Sequence, residues 1–101
     1  MNEVEKFINK FKYLASKEAE DLFLYGDCYY FSIILKERFS DAIIKYLMID
    51  NHFLAEISGR LYDIRGDVTD IIEKNQMINW DALKEFDSLL YNRIVRDCIK
   101  F

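Results

Sequence analysis

The chain has 101 residues, of which 51% are hydrophobic and 16% aromatic, and its formal net charge is −4. This length and apolar content suit a single domain over residues 1–101, with a hydrophobic core of its own. Because the basic residues are scattered along an acidic chain, we expect neither nucleic acid nor an anionic membrane as a partner. No apolar run reaches membrane-spanning length and the first residues do not form a leader, so we expect a cytoplasmic protein.

The first part of the chain has the sequence pattern of helices. Apolar residues recur at helical spacing over Glu3–Leu24, which indicates one long or one broken amphipathic helix. Gly26 then interrupts the pattern, and Asp27 is a suitable N-cap for a second helix over Cys28–Phe39. The sequence therefore places a cysteine in the first turn of this second helix.

The middle of the chain has the pattern of strands, and the end returns to a helix. Three strand candidates lie at Ala42–Ile49, His52–Ile57 and Arg60–Ile64, and the segment Asp67–Lys74 is ambiguous. Asn79 is a suitable cap for a last helix that begins at Trp80. The predicted order is ααβββα, an α+β domain with a small antiparallel sheet of about three strands.

The pair Ser58-Gly59 between the second and third strands is a two-residue hairpin signal. If these two residues form the loop, His52 and Asp63 lie on the same face of the sheet as diagonal neighbours. Their Cα atoms are then about 7–8 Å apart, and Arg65 lies opposite His52. A three-residue loop would instead put His52 and Asp63 on opposite faces.

The other face of this hairpin is the more apolar one. It carries Phe53, Ala55, Ile57, Tyr62 and Ile64. We therefore expect the face with His52 and Asp63 to be partly solvated, as in a cleft, or to be covered by only one helix.

Cys28 has a sequence context that favours a reactive thiol. The positive end of a helix dipole and the first-turn amides both stabilise a thiolate, and the amides can also hold the oxyanion of a tetrahedral intermediate. An imidazole such as His52 completes an ion pair with the thiolate, and a carboxylate such as Asp63 fixes the tautomer of the imidazole. The negative charge of Asp27 opposes this effect.

Two other interpretations of Cys28 remain open. A free cysteine is among the most buried residue types, so Cys28 and the second cysteine, Cys98, are also explained as core residues. Cys28, His52 and Asp63 are ligand types for zinc, but the chain has one histidine and no paired ligands of the C-x-x-C kind. We therefore expect no metal and no cofactor.

Three short motifs carry a resemblance to a known superfamily. They are Gly26-Asp27-Cys28-Tyr29-Tyr30-Phe31, Asn51-His52-Phe53 and Leu61-Tyr62-Asp63-Ile64. In order and context they resemble the transglutaminase-like branch of the papain-like cysteine hydrolases, over residues 26–67. The chain also looks like small uncharacterised bacterial and phage proteins with the same order of motifs. The resemblance implies that Cys28 is the nucleophile, His52 the general base and Asp63 its orienting partner.

Two functions follow as expectations. The first is a cysteine-dependent hydrolase or acyltransferase that acts on an amide or thioester bond of a protein or small-molecule substrate through Cys28, His52 and Asp63. The second is a non-catalytic binding or inhibitor module of phage or accessory origin that keeps the papain-like fold. The reactivity of the thiol distinguishes them, because only the first function requires a thiolate near neutral pH.

Overall fold

The chain forms an α+β fold in which helices pack against an antiparallel sheet. The computed structural model describes residues 2–15, 18–25, 28–48, 51–73 and 76–96, without the side chains of residues 19, 20 and 25. The helices in these ranges are α1 (Glu3–Leu14), α2 (Ala19–Tyr25), α3 (Cys28–Arg38), α4 (Trp80–Phe86) and α5 (Ser88–Ile94). The strands are β1 (Ile43–Leu47), β2 (His52–Ile57), β3 (Arg60–Asp63), β4 (Gly66–Asp67) and β5 (Met77–Asn79), and a 3-10 turn covers Thr69–Ile71. The predicted α+β class is confirmed.

The sheet has five strands in the order β4-β3-β2-β1-β5, and every neighbouring pair is antiparallel. The three predicted strands correspond to β1, β2 and β3, so the predicted count of three is wrong. The two additional strands lie at the edges and contain only two and three residues. Segments this short carry no alternating pattern, so no sequence signal identifies them as strands.

The predicted N-terminal helix is broken into two. Helix α1 begins after Asn2, whose side chain accepts a hydrogen bond from the amide of Glu5 at 2.8 Å. The side-chain Nδ2 of Asn2 also donates a hydrogen bond to the hydroxyl of Tyr62 at 2.7 Å, which ties the start of α1 to β3. The predicted break at Gly26 and the predicted cap at Asp27 lie outside the described residues.

The predicted C-terminal helix starts at Trp80 as expected but is interrupted at Asp87. The carboxylate of Asp87 accepts a hydrogen bond from the amide of Leu90 at 3.1 Å and so caps α5. Asn79 precedes α4 without a side-chain capping bond, and its side-chain oxygen accepts from Lys45 instead. Cys98 lies outside the described residues. Among the helices that the structure describes, none has the length and apolar character needed to cross a membrane.

Helices α1 and α3 pack on the more apolar face of the β2–β3 hairpin. The cluster between them contains Val4, Ile8, Phe31, Leu35, Ala42, Ala55, Ile57, Tyr62 and Ile64. A second cluster joins the start of α3 to α4 and α5 around Ile44, Tyr46, Phe53, Trp80, Leu83 and Ile94. These two clusters fix the position of α3, and therefore of Cys28, relative to the sheet.

Among the described residues, the face that carries His52 and Asp63 is covered by the segment after β3 and by the start of β5 rather than by an α-helix. Leu54, Leu61 and Val68 form a small buried cluster there, against which Ile72 and Met77 pack. The amide of Val68 donates to the carbonyl of Leu61 at 2.8 Å, which fastens this covering segment to β3. His52 is only 7% exposed and Asp63 only 3%. The expectation that this face is partly solvated or covered by one helix is therefore wrong.

The hairpin register is confirmed. Ile57 pairs with Arg60, and the two loop residues Ser58 and Gly59 both have positive φ, at 52° and 80°. Two consecutive residues with positive φ are typical of the type I′ turn, whose twist matches that of the flanking strands. Gly66, the first residue of β4, also has a positive φ, at 108°.

We expect Gly66→Ala to lower the free energy of unfolding by about 1–3 kcal/mol in urea denaturation. A Cβ at this position meets nothing within 4 Å, so the cost comes from the backbone alone, since an L residue rarely adopts φ 108°. Gly59→Ala, at φ 80°, serves as the milder comparison, and Ser58→Ala is the control because position 58 already carries an L residue at positive φ. Equal stability of the Gly66→Ala variant and the wild type would contradict this account.

Candidate active site

The structure brings the three predicted site residues together. Cys28 is the first residue of α3, His52 the first of β2 and Asp63 the last of β3. The His52 Nε2 atom lies 2.9 Å from Asp63 Oδ2, and the imidazole lies close enough to the thiol of Cys28 for each to shift the pKa of the other. Because Nε2 faces the carboxylate, Nδ1 is the ring nitrogen left for the sulfur. The imidazole of His52 is thus the neighbour of both the carboxylate and the thiol.

The start of β2 is held by its own local contacts. Asn51, the residue before His52, has φ 49°, a left-handed conformation that asparagine tolerates better than most residues. The hydroxyl of Tyr46 on β1 donates a hydrogen bond to the side-chain oxygen of Asn51. This contact fixes where β2 begins, and therefore where the imidazole of His52 emerges from the sheet.

Arg65 also holds the carboxylate of Asp63 and shares the oxygen Oδ2 with His52. The Arg65 amide donates to Oδ1 at 2.7 Å, Nη2 donates to Oδ2 at 2.6 Å, and Nε lies 3.2 Å and 3.1 Å from the two oxygens. Burial raises the pKa of Asp63, but the hydrogen bonds from His52 and Arg65 outweigh it, so this pKa lies below its usual value. Arg65 was not predicted as a site residue, although the hairpin register placed it opposite His52.

The imidazole and the thiol are shifted in opposite directions. Burial lowers the pKa of His52, but hydrogen bonds to Asp63 and Cys28 and the charges of both raise it to about 9. Burial raises the pKa of the Cys28 thiol, but the hydrogen bond and charge of His52 together with the backbone groups of Phe53 and Tyr29 outweigh it, so this pKa is lowered. A raised imidazole pKa beside a lowered thiol pKa favours the thiolate–imidazolium ion pair.

Two backbone groups also hydrogen-bond to the sulfur of Cys28. They belong to Phe53 on β2 and to Tyr29 in the first turn of α3, and both lower the pKa of the thiol. The contribution of the Tyr29 backbone was predictable from the expected helix start at Cys28. The contribution of the Phe53 backbone was not, because it depends on how α3 packs against the sheet. Asp27, whose negative charge was expected to oppose the thiolate, lies outside the described residues.

The part of the chain that the structure describes contains no group of three or more His, Cys, Asp or Glu side chains arranged to hold a metal ion. The assignment of catalytic roles to Cys28, His52 and Asp63 stays a prediction.

Comparison with known proteins corrects the resemblance drawn from the motifs. Neither the curated proteins nor the solved structures contain a match to the chain. A family model described as phage YunG-like protein matches residues 7–95, a range that includes all three site residues. The assignment to the papain-like or transglutaminase-like cysteine hydrolases is wrong, because the family model that matches belongs to a different family. Three short, isolated motifs are not specific enough to identify a superfamily. The chain belongs to the phage YunG-like family.

Proposed function

We propose that this phage YunG-like chain is a cysteine-dependent hydrolase or acyltransferase that acts on an amide or thioester bond. The observation that carries the proposal is that the His52 imidazole lies 2.9 Å from the Asp63 carboxylate and neighbours the Cys28 thiol, whose pKa it lowers. A nucleophile that contacts a base, which is in turn oriented by a third group, is the arrangement that activates a side chain for covalent catalysis.

In the first step, the Cys28 thiolate attacks the carbonyl carbon of the substrate. A carbon–sulfur bond forms, and the electron pair of the carbonyl double bond moves to its oxygen. The backbone amides of Tyr29 and Phe53 near the sulfur support this step, because donors placed there stabilise the negative oxygen as it develops. The intermediate then expels the amine or thiol, which takes the proton held by the His52 imidazolium.

In the second step, an acceptor attacks the acyl-thioester on Cys28. Water as the acceptor gives hydrolysis, and an amine or thiol gives acyl transfer. Neutral His52 removes a proton from the acceptor, the new bond to the carbonyl carbon forms, and the carbon–sulfur bond breaks to regenerate the thiolate. Asp63 stays ionised throughout and stabilises the imidazolium. The substrate is a protein or a small molecule that reaches the half-buried Cys28.

The test of the proposal is the rate of Cys28 alkylation by iodoacetamide as a function of pH. The experiment uses the Cys98→Ser variant, in which Cys28 is the one thiol that can be alkylated. We expect the rate to reach its plateau well below pH 8.5, and His52→Ala to reduce the rate at pH 6 by about tenfold or more, because the thiol loses the partner that keeps it ionised. The matched control is Thr69→Val, which removes another buried polar side chain without touching the sulfur.

A second measurement separates a reactive thiol from turnover. Incubation with p-nitrophenyl acetate is expected to acylate Cys28, and mass spectrometry locates the acyl group. Release of several equivalents of p-nitrophenolate per chain supports hydrolysis, whereas release of a single equivalent shows a reactive thiol whose acyl group water does not remove. An ordinary thiol profile that does not respond to His52→Ala, with no acylation, would refute the proposal and favour a non-catalytic binding module.

A further inference from the structure

A continuous row of aromatic rings starts beside Cys28. We call it the aromatic wall and define it as Tyr30, Tyr29, Trp80 and Tyr91. Ring centroids are 5.5 Å apart for Tyr30 and Tyr29, 6.2 Å for Tyr29 and Trp80, and 4.5 Å for Trp80 and Tyr91, which stack at 23°. Cys28, Tyr29 and Tyr91 pack against the same hydrophobic cluster, so the sulfur and the aromatic wall share one environment.

The aromatic wall is buried at Trp80 and becomes more exposed from Tyr29 to Tyr30. Trp80 is 4% exposed and contacts Phe53 with a centroid distance of 5.0 Å, so it forms the rigid backing. Tyr29 is half-buried and Tyr30 is 43% exposed. Lys84 lies over Tyr91, with Nζ 5.9 Å from the ring centroid, and occupies the far end. The part that solvent reaches is therefore at Tyr29 and Tyr30, one and two residues after Cys28.

The orientation of Tyr29 is fixed before any ligand arrives. Its ring packs edge-on against Phe53 with a centroid distance of 5.0 Å and against Trp80 with a centroid distance of 6.2 Å. A ring held on two sides loses little conformational entropy when a third flat group packs on it. Aromatic rings bind other flat apolar groups through offset or edge-to-face contacts.

We infer that the aromatic wall selects substrates with an aromatic or flat apolar group next to the carbonyl that Cys28 attacks. This inference rests on the proposed function for the identity of the reacting atom. The bond formed and the bond broken are those of the acyl transfer already described. The contribution of the aromatic wall is to hold the acyl donor in place, so Tyr29 and Tyr30 determine specificity and do not transfer protons.

The experiment compares two alkylating reagents that share one reacting carbon. Iodoacetamide and N-phenyl iodoacetamide are each reacted with Cys28 in the Cys98→Ser background and with N-acetylcysteine as the free thiol. We expect the rate ratio of the phenyl reagent over the plain reagent to be about three- to tenfold higher for Cys28 than for N-acetylcysteine. Tyr30→Ser and Tyr29→Leu should return this ratio towards that of the free thiol.

The control is Tyr13→Ser, because Tyr13 lies on α1 and is 86% exposed. We expect it to leave the ratio unchanged, and circular dichroism checks that each variant is folded. A ratio equal to that of N-acetylcysteine, with the low-pH plateau intact, would overturn the aromatic selectivity and leave the proposed function standing. A raised ratio without the plateau would refute the proposed function and leave the aromatic wall as a binding surface.

Discussion

Replacing Asp63 by alanine is expected to lower the free energy of unfolding by about 3–5 kcal/mol at pH 6. Asp63 is 3% exposed, and its carboxylate accepts hydrogen bonds from His52 and from the amide and guanidinium of Arg65. Its removal leaves the imidazole of His52 buried without the carboxylate that compensates its charge. Urea denaturation measures the loss, and Asp63→Asn should fall between alanine and the wild type, because it keeps an acceptor but not the charge.

The pH dependence gives this prediction its sign. The pKa of Asp63 is lowered in the folded state, so its stabilisation is present above the unfolded value of about 3.9 and is lost as pH falls through the folded value. The pKa of His52 is raised to about 9, so its stabilisation is complete below about 6.5 and is lost as pH rises through 9. The difference between the wild type and Asp63→Ala should therefore be largest between about pH 4 and 6.5.

The control for Asp63 is Asp70→Ala, which removes a carboxylate whose side chain is 86% exposed. We expect a change within about 0.5 kcal/mol, because exposed ion pairs contribute little. A loss below about 1 kcal/mol for Asp63→Ala, or a loss that stays constant from pH 3 to 9, would show that the carboxylate does not hold the imidazole as the distances indicate.

Local sequence signals were sufficient to predict the hairpin and the geometry that depends on it. The two-residue loop sets the pairing of Ile57 with Arg60, and the period of two then brings His52 and Asp63 to one face. No knowledge of a family is needed for that step. The helical pattern likewise predicts that α3 begins at Cys28. The distance between Cys28 and the hairpin residues His52 and Asp63 depends on how α3 packs on the sheet, and no local signal predicts that packing.

Three features were not predicted: strand β4, the helix break at Asp87 and the contact of Arg65 with Asp63. Two of them depend on tertiary contacts, and at Asp87 a stronger sequence pattern concealed the local signal. Strand β4 has two residues and is defined by its pairing with β3, so no pattern within it identifies it. The apolar spacing of the last helix continues through the break at Asp87, and this spacing predicted one uninterrupted helix. A local signal pointed the other way, because aspartate is a preferred N-cap and here caps α5, which begins at Ser88. Arg65 follows the last residue predicted for its strand, and its contact with Asp63 comes from the turn between β3 and β4.

Replacing Phe31 by alanine is expected to lower the free energy of unfolding by about 3–5 kcal/mol. Phe31 is 1% exposed, and its ring lies 5.3 Å from that of Phe11 on α1 and 5.5 Å from that of Phe23 on α2. It is therefore the side chain through which α3 holds both N-terminal helices, and its truncation opens a cavity at their junction. Urea denaturation at pH 7 is the measurement.

Two comparisons make the Phe31 prediction specific to burial at this junction. Phe31→Leu should cost less than Phe31→Ala, because it fills much of the volume while removing the ring contacts. Phe86→Ala removes the same ring from a position that is 89% exposed, and we expect a change within about 0.5 kcal/mol. Similar losses for Phe31→Ala and Phe86→Ala would mean that α1 and α2 are not anchored through Phe31. The anchor matters for the site, because helix α3 carries Cys28 three residues before Phe31 and must keep it within hydrogen-bonding reach of His52.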